Sequence, residues 1–520
     1  MERAGRRLAR RNGRLVAPAL VACALVVVGA APPKRPKAAA PTTVTVGTLV
    51  AESSFDPYKN ETGYFLQYLQ PVYDTLIRRR TDGSYAPDLA VAWRYTAGSK
   101  NTAFTLTLRK NVRFADGTPL NAAAVKANLD YAKSANGPRA SQLASIASVT
   151  ASGQWTVQIK LSTSDPSLPL TLSGVNGMMV SPKALLDPVA LDTTPAGAGP
   201  YVLDPTQTTA GTRYVYVRNP RYWQPQAFPF DRLVIRVYPS TATAFAGLRA
   251  GQVDMAPGVP ADLAAGRKAR LAALAWTSSC LGLWLWDRSG KLAPPLAKLA
   301  VRQALNYAVD RRAIFKSLYN GQGVAGTQIF VPGSAGYSKA LDARYPYDPA
   351  RARKLLAQAG YPKGFTLPVL SVPVADPQAE AIARYLKAVG VKMEIEDVQP
   401  AALPNEIAKP RFPALLFSYS WQDAYQDSQS MVLPGGFYNP FGSSDSQVTS
   451  LWKRAAQATS TAAAQKLFQA ESARIVQLAW FLIVGYDKTI YWVNARHVGG
   501  VKTMKGQPVP SIYGWKPVRG

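Results

Sequence analysis

The stretch "WQDAYQD" (421–427) sets Asp423 and Asp427 four residues apart beside Trp421 and Tyr425, with Tyr419 two positions upstream. On a helix that spacing puts both carboxylates on one face, where each like charge raises the other's proton affinity. Three chemistries fit: the acid and base of a sugar hydrolase, a grip on a cationic group, or two solvated turn carboxylates. The flanking rings suit the walls of a ligand site, because aromatic faces stack on and bury many kinds of solute.

Other signals of chemistry are thin. His497 is the sole histidine, so any Ser-His-Asp or Cys-His arrangement would have to use it, and "NARHVGG" around it reads as a loop. One histidine and two cysteines give no transition-metal cluster, and neither a metal nor a cofactor is expected. "AGAGPY" (196–201) lacks the Lys-Ser/Thr of a phosphate-binding loop and reads as a tight turn. No enzyme is expected from this set.

The elements that must position these residues follow from periodicity. "TVTVGTLV" (43–50) alternates and begins the fold as a strand. "TAFTLTLRKNVRF" places Phe104, Leu106 and Leu108 on one face, and "ASGQWTVQIKL" does the same with Trp155, Val157, Ile159 and Leu161. "TRYVYVRN" and "RLVIRVYP" add two more strands. Beyond about residue 290 the period lengthens. "LAVRQALNYAVDRRAIFKSLYNG" carries a helical stripe ending at Gly321, and "TLPVLSV", "DPQAEAIARYLKAVG" and "VKMEIEDV" form a strand–helix–strand unit. In that unit Asp376 is the expected N-cap, Pro377 the first-turn residue and Gly390 the stop. "FLIVGY" and "TIYWV" read as two late strands that return to the first half.

Composition bounds the class. A chain of 520 residues with 47% hydrophobic and 18% charged content is globular and larger than one core usually supports. "MERAGRRLARRNGR" followed by "LVAPALVACALVVVGA" has the basic and apolar regions of an export signal over residues 1–30, and the apolar run is shorter than the roughly 20 residues a membrane span needs. "LVAC" resembles a lipobox, which would make Cys23 a lipidation site; the alternative is cleavage near Ala30. Residues 31–42, "APPKRPKAAAPT", read as a proline-rich spacer. The formal charge of +29, of which residues 1–40 supply +8, favours anionic surroundings. Its scatter along the chain carries no nucleic-acid recognition motif.

Seven blocks in order carry a resemblance. "VYDTLIRRRTDGSYAPDLAVAW", "FTLTLRKNVRFADGTPLNAAAV", "PAGAGPYVL", "RNPRYW", "LRAGQVDMA", "VRQALNYAVDRRAI" and "YDPARARKLLAQAGY" resemble the family 5 extracellular solute-binding proteins, the peptide- and nickel-type receptors of bacterial ABC importers. The resemblance runs from about residue 43 to 515. It implies an α/β, two-lobed periplasmic-binding-protein fold, type II-like and of the large peptide-receptor type. Lobe one would hold 43–280 and 488–520 with an extra subdomain at about 70–185, and lobe two 281–487.

It also implies capture without chemistry. An oligopeptide or similar polar solute would be held between the lobes and delivered to an ABC permease, by a monomer, outside the cytoplasm or as a lipoprotein on the membrane's outer face. An oligosaccharide, opine or metal-chelate receptor is the alternative on the same fold, and an adhesin or an exported hydrolase are readings from other classes. Peptide-binding members present an aspartate from a segment like "WCADY", and here Ala424 stands where that aspartate would be, with Asp423 one position earlier. The expected ligand-binding residues are Trp421, Tyr425, Asp423, Tyr419 and Asp427, with Trp286 from "LWLWDRSG" and Ser54 and Phe55 from "AESSFDPY".

Overall fold

The computed structural model describes residues 42–518 apart from 61, 62, 136, 400, 401, 422, 459 and 505. The expected export segment, Cys23 and all but the last residue of the spacer lie outside the described residues.

One mixed sheet runs through the whole described chain. In spatial order its strands are Val391–Asp397, Phe365–Ser371, Ala414–Ser420, Ala272–Leu285, Phe481–Val493, Met255–Gly258, Thr43–Thr48, Arg232–Val237, Arg213–Arg218 and Tyr201–Leu203, with Val324–Ala325 added beside Phe481–Val493. Two of these strands are far longer than the rest. Ala272–Leu285 and Phe481–Val493 pair antiparallel from Ala272↔Val493 to Trp284↔Phe481, with register shifts between Thr277 and Ser279 and between Leu281 and Gly282. "FLIVGY" and "TIYWV" are therefore one strand, not two. The polar pair Asp487–Lys488 interrupts the apolar pattern and lies opposite the first register shift, but the pairing continues on both sides of it.

The apolar cores divide along these strands. Ala272, Leu274, Trp276, Tyr491 and Val493 pack with the core that holds the first half of the chain, and Ile490 and Trp492 with a small cluster on the sheet's other side. Cys280 to Trp286 and Phe481 to Tyr486 supply residues to the two clusters of the second half. Thr277, Ser279, Asp487, Lys488 and Thr489 belong to none of the four. At the second register shift the backbones approach so closely that a Cβ on Gly282 would lie 2.3 Å from the Leu482 carbonyl oxygen. Only glycine fits there.

A separate four-stranded antiparallel sheet, in the order Ala90–Tyr95, Ala103–Leu108, Thr156–Leu161, Ile146–Ala151, forms a smaller layer. Phe104, Leu106, Leu108, Val157, Ile159 and Leu161 turn inward as their alternation predicts. Helix Ala122–Ser134, capped by Asn121 and burying Val125, Leu129 and Ala132, belongs to the same layer.

In the second half the parallel pair Phe365–Ser371 and Val391–Asp397 flanks helix Asp376–Lys387, as the strand–helix–strand pattern predicts. Asp376 is the first helical residue, not the cap; Ala375 occupies the cap position with no side-chain bond. The long stripe of 299–321 is two helices, Leu299–Tyr307 and Arg311–Leu318. Asp310 leaves helical geometry (ψ 92°) and accepts a bond from the Ala313 amide, starting the second helix. "AGAGPY" passes directly against residues 71–73, and a Cβ on Gly197 would lie 2.0 Å from the Val72 carbonyl oxygen. Its glycines serve close backbone approach.

Candidate ligand-binding site

The "WQDAYQD" segment joins strand Ala414–Ser420 to helix Ala424–Met431. Asp423 is the N-cap of that helix, with extended backbone (φ −148°, ψ 167°), and its Oδ1 accepts the Gln426 amide at 2.8 Å. Its Oδ2 accepts the Ser167 hydroxyl at 2.8 Å. Ala424 and Asp423 thus lie at a strand-to-helix junction, where a one-residue displacement does not simply reverse a side chain as it would along a strand. Asp427, in the first turn, is fully buried. Burial raises the Asp423 pKa above the ordinary carboxylate value, opposed by its bonds to Gln426 and Ser167 and by the Arg79 charge.

Around this junction the second half of the chain meets the small layer through a polar seam. The Tyr425 hydroxyl donates to the Ser164 carbonyl at 3.4 Å, and its ring stacks on Trp452 with centroids 4.6 Å apart. Gln426 donates to Thr171 Oγ1 at 2.8 Å and accepts from Gln142 at 3.1 Å. Arg139 donates to the Tyr419 hydroxyl at 3.2 Å, and Ser164 donates to the Ala456 carbonyl at 3.1 Å. Asp165, beside the seam, accepts from Ser145 and has its pKa raised by burial to about 6. Contacts of this kind join surfaces that can part, because each group exchanges its partner for water at small net cost.

The expected site residues do not all converge. Tyr419, Trp421, Asp423, Tyr425 and Asp427 share the junction; the aromatic ones are 5% exposed or less, and residues 139–171 meet Tyr419, Asp423 and Tyr425 directly. Trp286 is fully buried with Trp284 in the same apolar cluster as Tyr419, Trp421 and Tyr425, and unlike Tyr419 and Tyr425 it has no recorded hydrogen bond to residues 139–171. Ser54 and Phe55 are also buried. Ser54 donates to Asp192, and Phe55 meets Tyr214 edge-on at 6.1 Å. They brace the loop after the first strand. His497 is exposed, with Nδ1 3.0 Å from Asp254 Oδ1.

Sequence reasoning missed the covering side: Arg139, Gln142, Ser164, Ser167 and Thr171. Nothing in their spacing marks them, since they sit in turns and short helices whose partners are more than 250 residues away. It also missed Arg79. There a signal existed: in strand Ile77–Arg79 alternation turns Arg79 inward with Ile77.

A profile of bacterial extracellular solute-binding proteins, family 5, matches residues 84–443. The glutathione-binding protein GsiB of Shigella boydii serotype 4 is 32% identical over 320 residues, 59% of this chain and 60% of its own length. The GsiB of Escherichia coli O1:K1 is 33% identical over 313 residues, again 60% of its length. The matched part therefore spans about three-fifths of these curated relatives. In fold, the chain is similar to AgaA of A. tumefaciens R10, solved with agropinic acid (TM-score 0.84, 24% identity, covering 92% of this chain and 99% of that one). It is also similar to a dipeptide-binding protein of Pseudoalteromonas sp. SM9913, solved with Met-Leu (TM-score 0.81, 22% identity, 91% and 100% covered). The continuous sheet, the divided cores and a profile match across more than half of the residues agree: the chain belongs to the family 5 bacterial extracellular solute-binding proteins, with their two-lobed fold.

Proposed function

We propose that this protein is an extracytoplasmic receptor that captures an oligopeptide or similar polar solute between two lobes and delivers it to an ABC permease. The observation that carries the reading is the seam: a polar, hydrogen-bonded contact between residues 139–171 and 419–456, beside the long sheet strands that run between the two halves. Lobe one is assigned 43–280 and 488–520, lobe two 281–487, and the hinge residues 277–279 and 487–489, where the apolar clusters change over.

Opening at the hinge would free Asp423 from Ser167 and uncover Tyr419, Trp421 and Tyr425. A solute amine could then take the hydroxyl's place on Asp423, a stronger, charge-assisted bond. Binding to both lobes would favour the closed form, which the permease would recognise. Both Asp423 oxygens already accept bonds in this arrangement, which supports holding a ligand over proton transfer. A single chain suffices for capture, and Cys23 is the proposed anchor, readable as a diacylglyceryl mass on the mature N-terminus.

The test is purification without refolding, native mass spectrometry and release of any co-purified solute. Titration with glutathione, Met-Leu and a sugar panel follows, with closure read by small-angle scattering. A released peptide-like solute, or closure on a peptide, supports the reading. Absence of both across the panel sinks it, and turnover abolished in Asp423→Asn would replace it with an enzyme.

A further inference from the structure

The positive charge that lies scattered along the sequence gathers on one face of the second half of the chain. Helix Pro349–Gln358 buries Ala352 and Leu356 and exposes Arg351, Arg353 and Lys354. The Arg353 guanidinium donates to the Ala388 carbonyl at 3.2 Å, which sets this helix beside the end of helix Asp376–Lys387, where Arg384 and Lys387 are exposed. Lys363, also exposed, lies in the turn before strand Phe365–Ser371, and a Cβ on Gly390 would lie 3.3 Å from its carbonyl oxygen. Lys298 joins them, donating to the Ala359 carbonyl at 2.7 Å with its ammonium 5.1 Å from the Tyr361 ring.

Acidic residues are missing from these segments. None occurs between Asp287 and Asp310, between Asp348 and Asp376, or from Ala381 to Met393. Among the described residues, only Lys392 of this group forms an ion pair, with Glu394 at 2.7 Å. Two apolar groups share the face: Tyr347, 46% exposed, meets the Tyr385 ring at 5.6 Å beside Arg384, and Leu299, 40% exposed, follows Lys298. A soluble surface ordinarily mixes the two signs, because like charges close together repel, so a field of one sign asks for an anion from outside. The solute does not account for it. The face lies at the amino ends of the parallel strands Phe365–Ser371 and Val391–Asp397, whereas "WQDAYQD" follows the carboxyl end of Ala414–Ser420, which runs parallel to them.

We propose that this face is a docking surface for the anionic headgroups of a phospholipid bilayer. The proposal goes beyond solute capture and takes from that reading only the membrane setting. Exposed lysines and arginines are drawn to such a surface within a Debye length, and an array of headgroups meets charges spread over a helix, a helix end and a turn together. Tyr347 and Leu299 favour lipid over a soluble polyanion, since tyrosine and leucine settle where headgroups adjoin acyl chains. Docking here holds the second half of the chain against the membrane and leaves the opposite strand ends, with the candidate site, free.

The test is lysine footprinting of the full-length protein by acetylation and mass spectrometry, on vesicles of phosphatidylcholine alone and with added phosphatidylglycerol. Acetylation of Lys354, Lys363 and Lys387 is expected to slow about three-fold or more on the anionic vesicles and to recover in high salt. Lys110 and Lys183, exposed in the first half, should react unchanged. Equal rates on both vesicles, or the same protection at Lys110 and Lys183, overturn the proposal. Protection by soluble polyphosphate without protection by vesicles also overturns it, in favour of a polymer partner. In Arg353→Glu/Lys387→Glu the protection of Lys354 and Lys363 should be lost, and full retention counts against the face. The footprint reads the face itself, so it stands whether or not the amino-terminal region binds lipid. The wild-type arms need no variant to fold and no solute, so they fail or hold independently of the receptor reading.

Discussion

The apolar cores and the polar seam are built from opposite materials. Around Trp284, fully buried with Phe417 and Phe481 edge-on at 5.7 and 5.9 Å, the contacts are rings and branched aliphatics. Around Asp423 they are hydroxyls, amides and one carboxylate, each with a named partner. Burial is similar in both places, but the driving force is not. Apolar area removed from water holds the core permanently, while hydrogen bonds traded for water leave the seam close to balance. Burial alone therefore does not separate scaffold from site. The chemistry of what is buried does.

The contrast breaks most visibly in the core. Trp284→Ala is expected to cost about 3–5 kcal/mol, read as a lower denaturation midpoint, because the cavity cannot collapse between two rings. A loss below about 1 kcal/mol would mean the second-half core is looser than its packing shows.

Next is a core carboxyl. Glu471 is fully buried, and desolvation pushes its pKa up from 4.5 to about 8. Its folded form holds the proton more tightly than the unfolded form, so the stability it confers is complete below about pH 4.5 and is lost as pH rises through about 8. Relative to Glu471→Gln, wild type should lose up to about 1.4 kcal/mol per pH unit across that window. Parallel midpoint-against-pH curves for the two proteins would refute this.

At the edge of the seam Asp423 has a cap role separable from its cross-seam bond. Asp423→Ala should cost about 1 kcal/mol through the lost cap, and Asp423→Asn much less, because asparagine also caps. Unfolding midpoints of the pair check it.

The smallest effect per residue belongs to the seam itself. Gln142→Ala with Gln426→Ala should change stability by about 1–2 kcal/mol, because the Asn176 amide also loses its bond to Gln142, yet raise the radius of gyration in scattering as the closing contacts go. A large stability loss with unchanged dimensions would make the seam part of the core.

Much of the fold was legible in the residues. Alternation in "TAFTLTLRK" and "QWTVQIKL" named the faces of the small sheet, and the 365–397 unit read correctly as parallel. The misreadings have local causes. The stripe over 299–321 continues through Ala308 and Val309, but Asp310 prefers to cap a new helix, and a hydrogen-bonding side chain outweighs an apolar period. Asp487–Lys488 looked like a gap between strands because polarity there reflects the change from one core to another. Trp286 has the ring of a cleft wall, and ring type does not tell a wall from a core.

The sequence by itself determined the strands, the order of family blocks and the aromatic–acidic segment 419–427, all written in patterns a few residues long. Tertiary structure alone decided that Asp423 faces Ser167, 256 residues away, that residues 139–171 meet the tyrosines, and that the Arg79 Nε is buried without a hydrogen-bond partner. Periodicity fixes which way a side chain points from its own strand or helix. What it meets there depends on contacts closed across the whole chain, and only the folded arrangement specifies those.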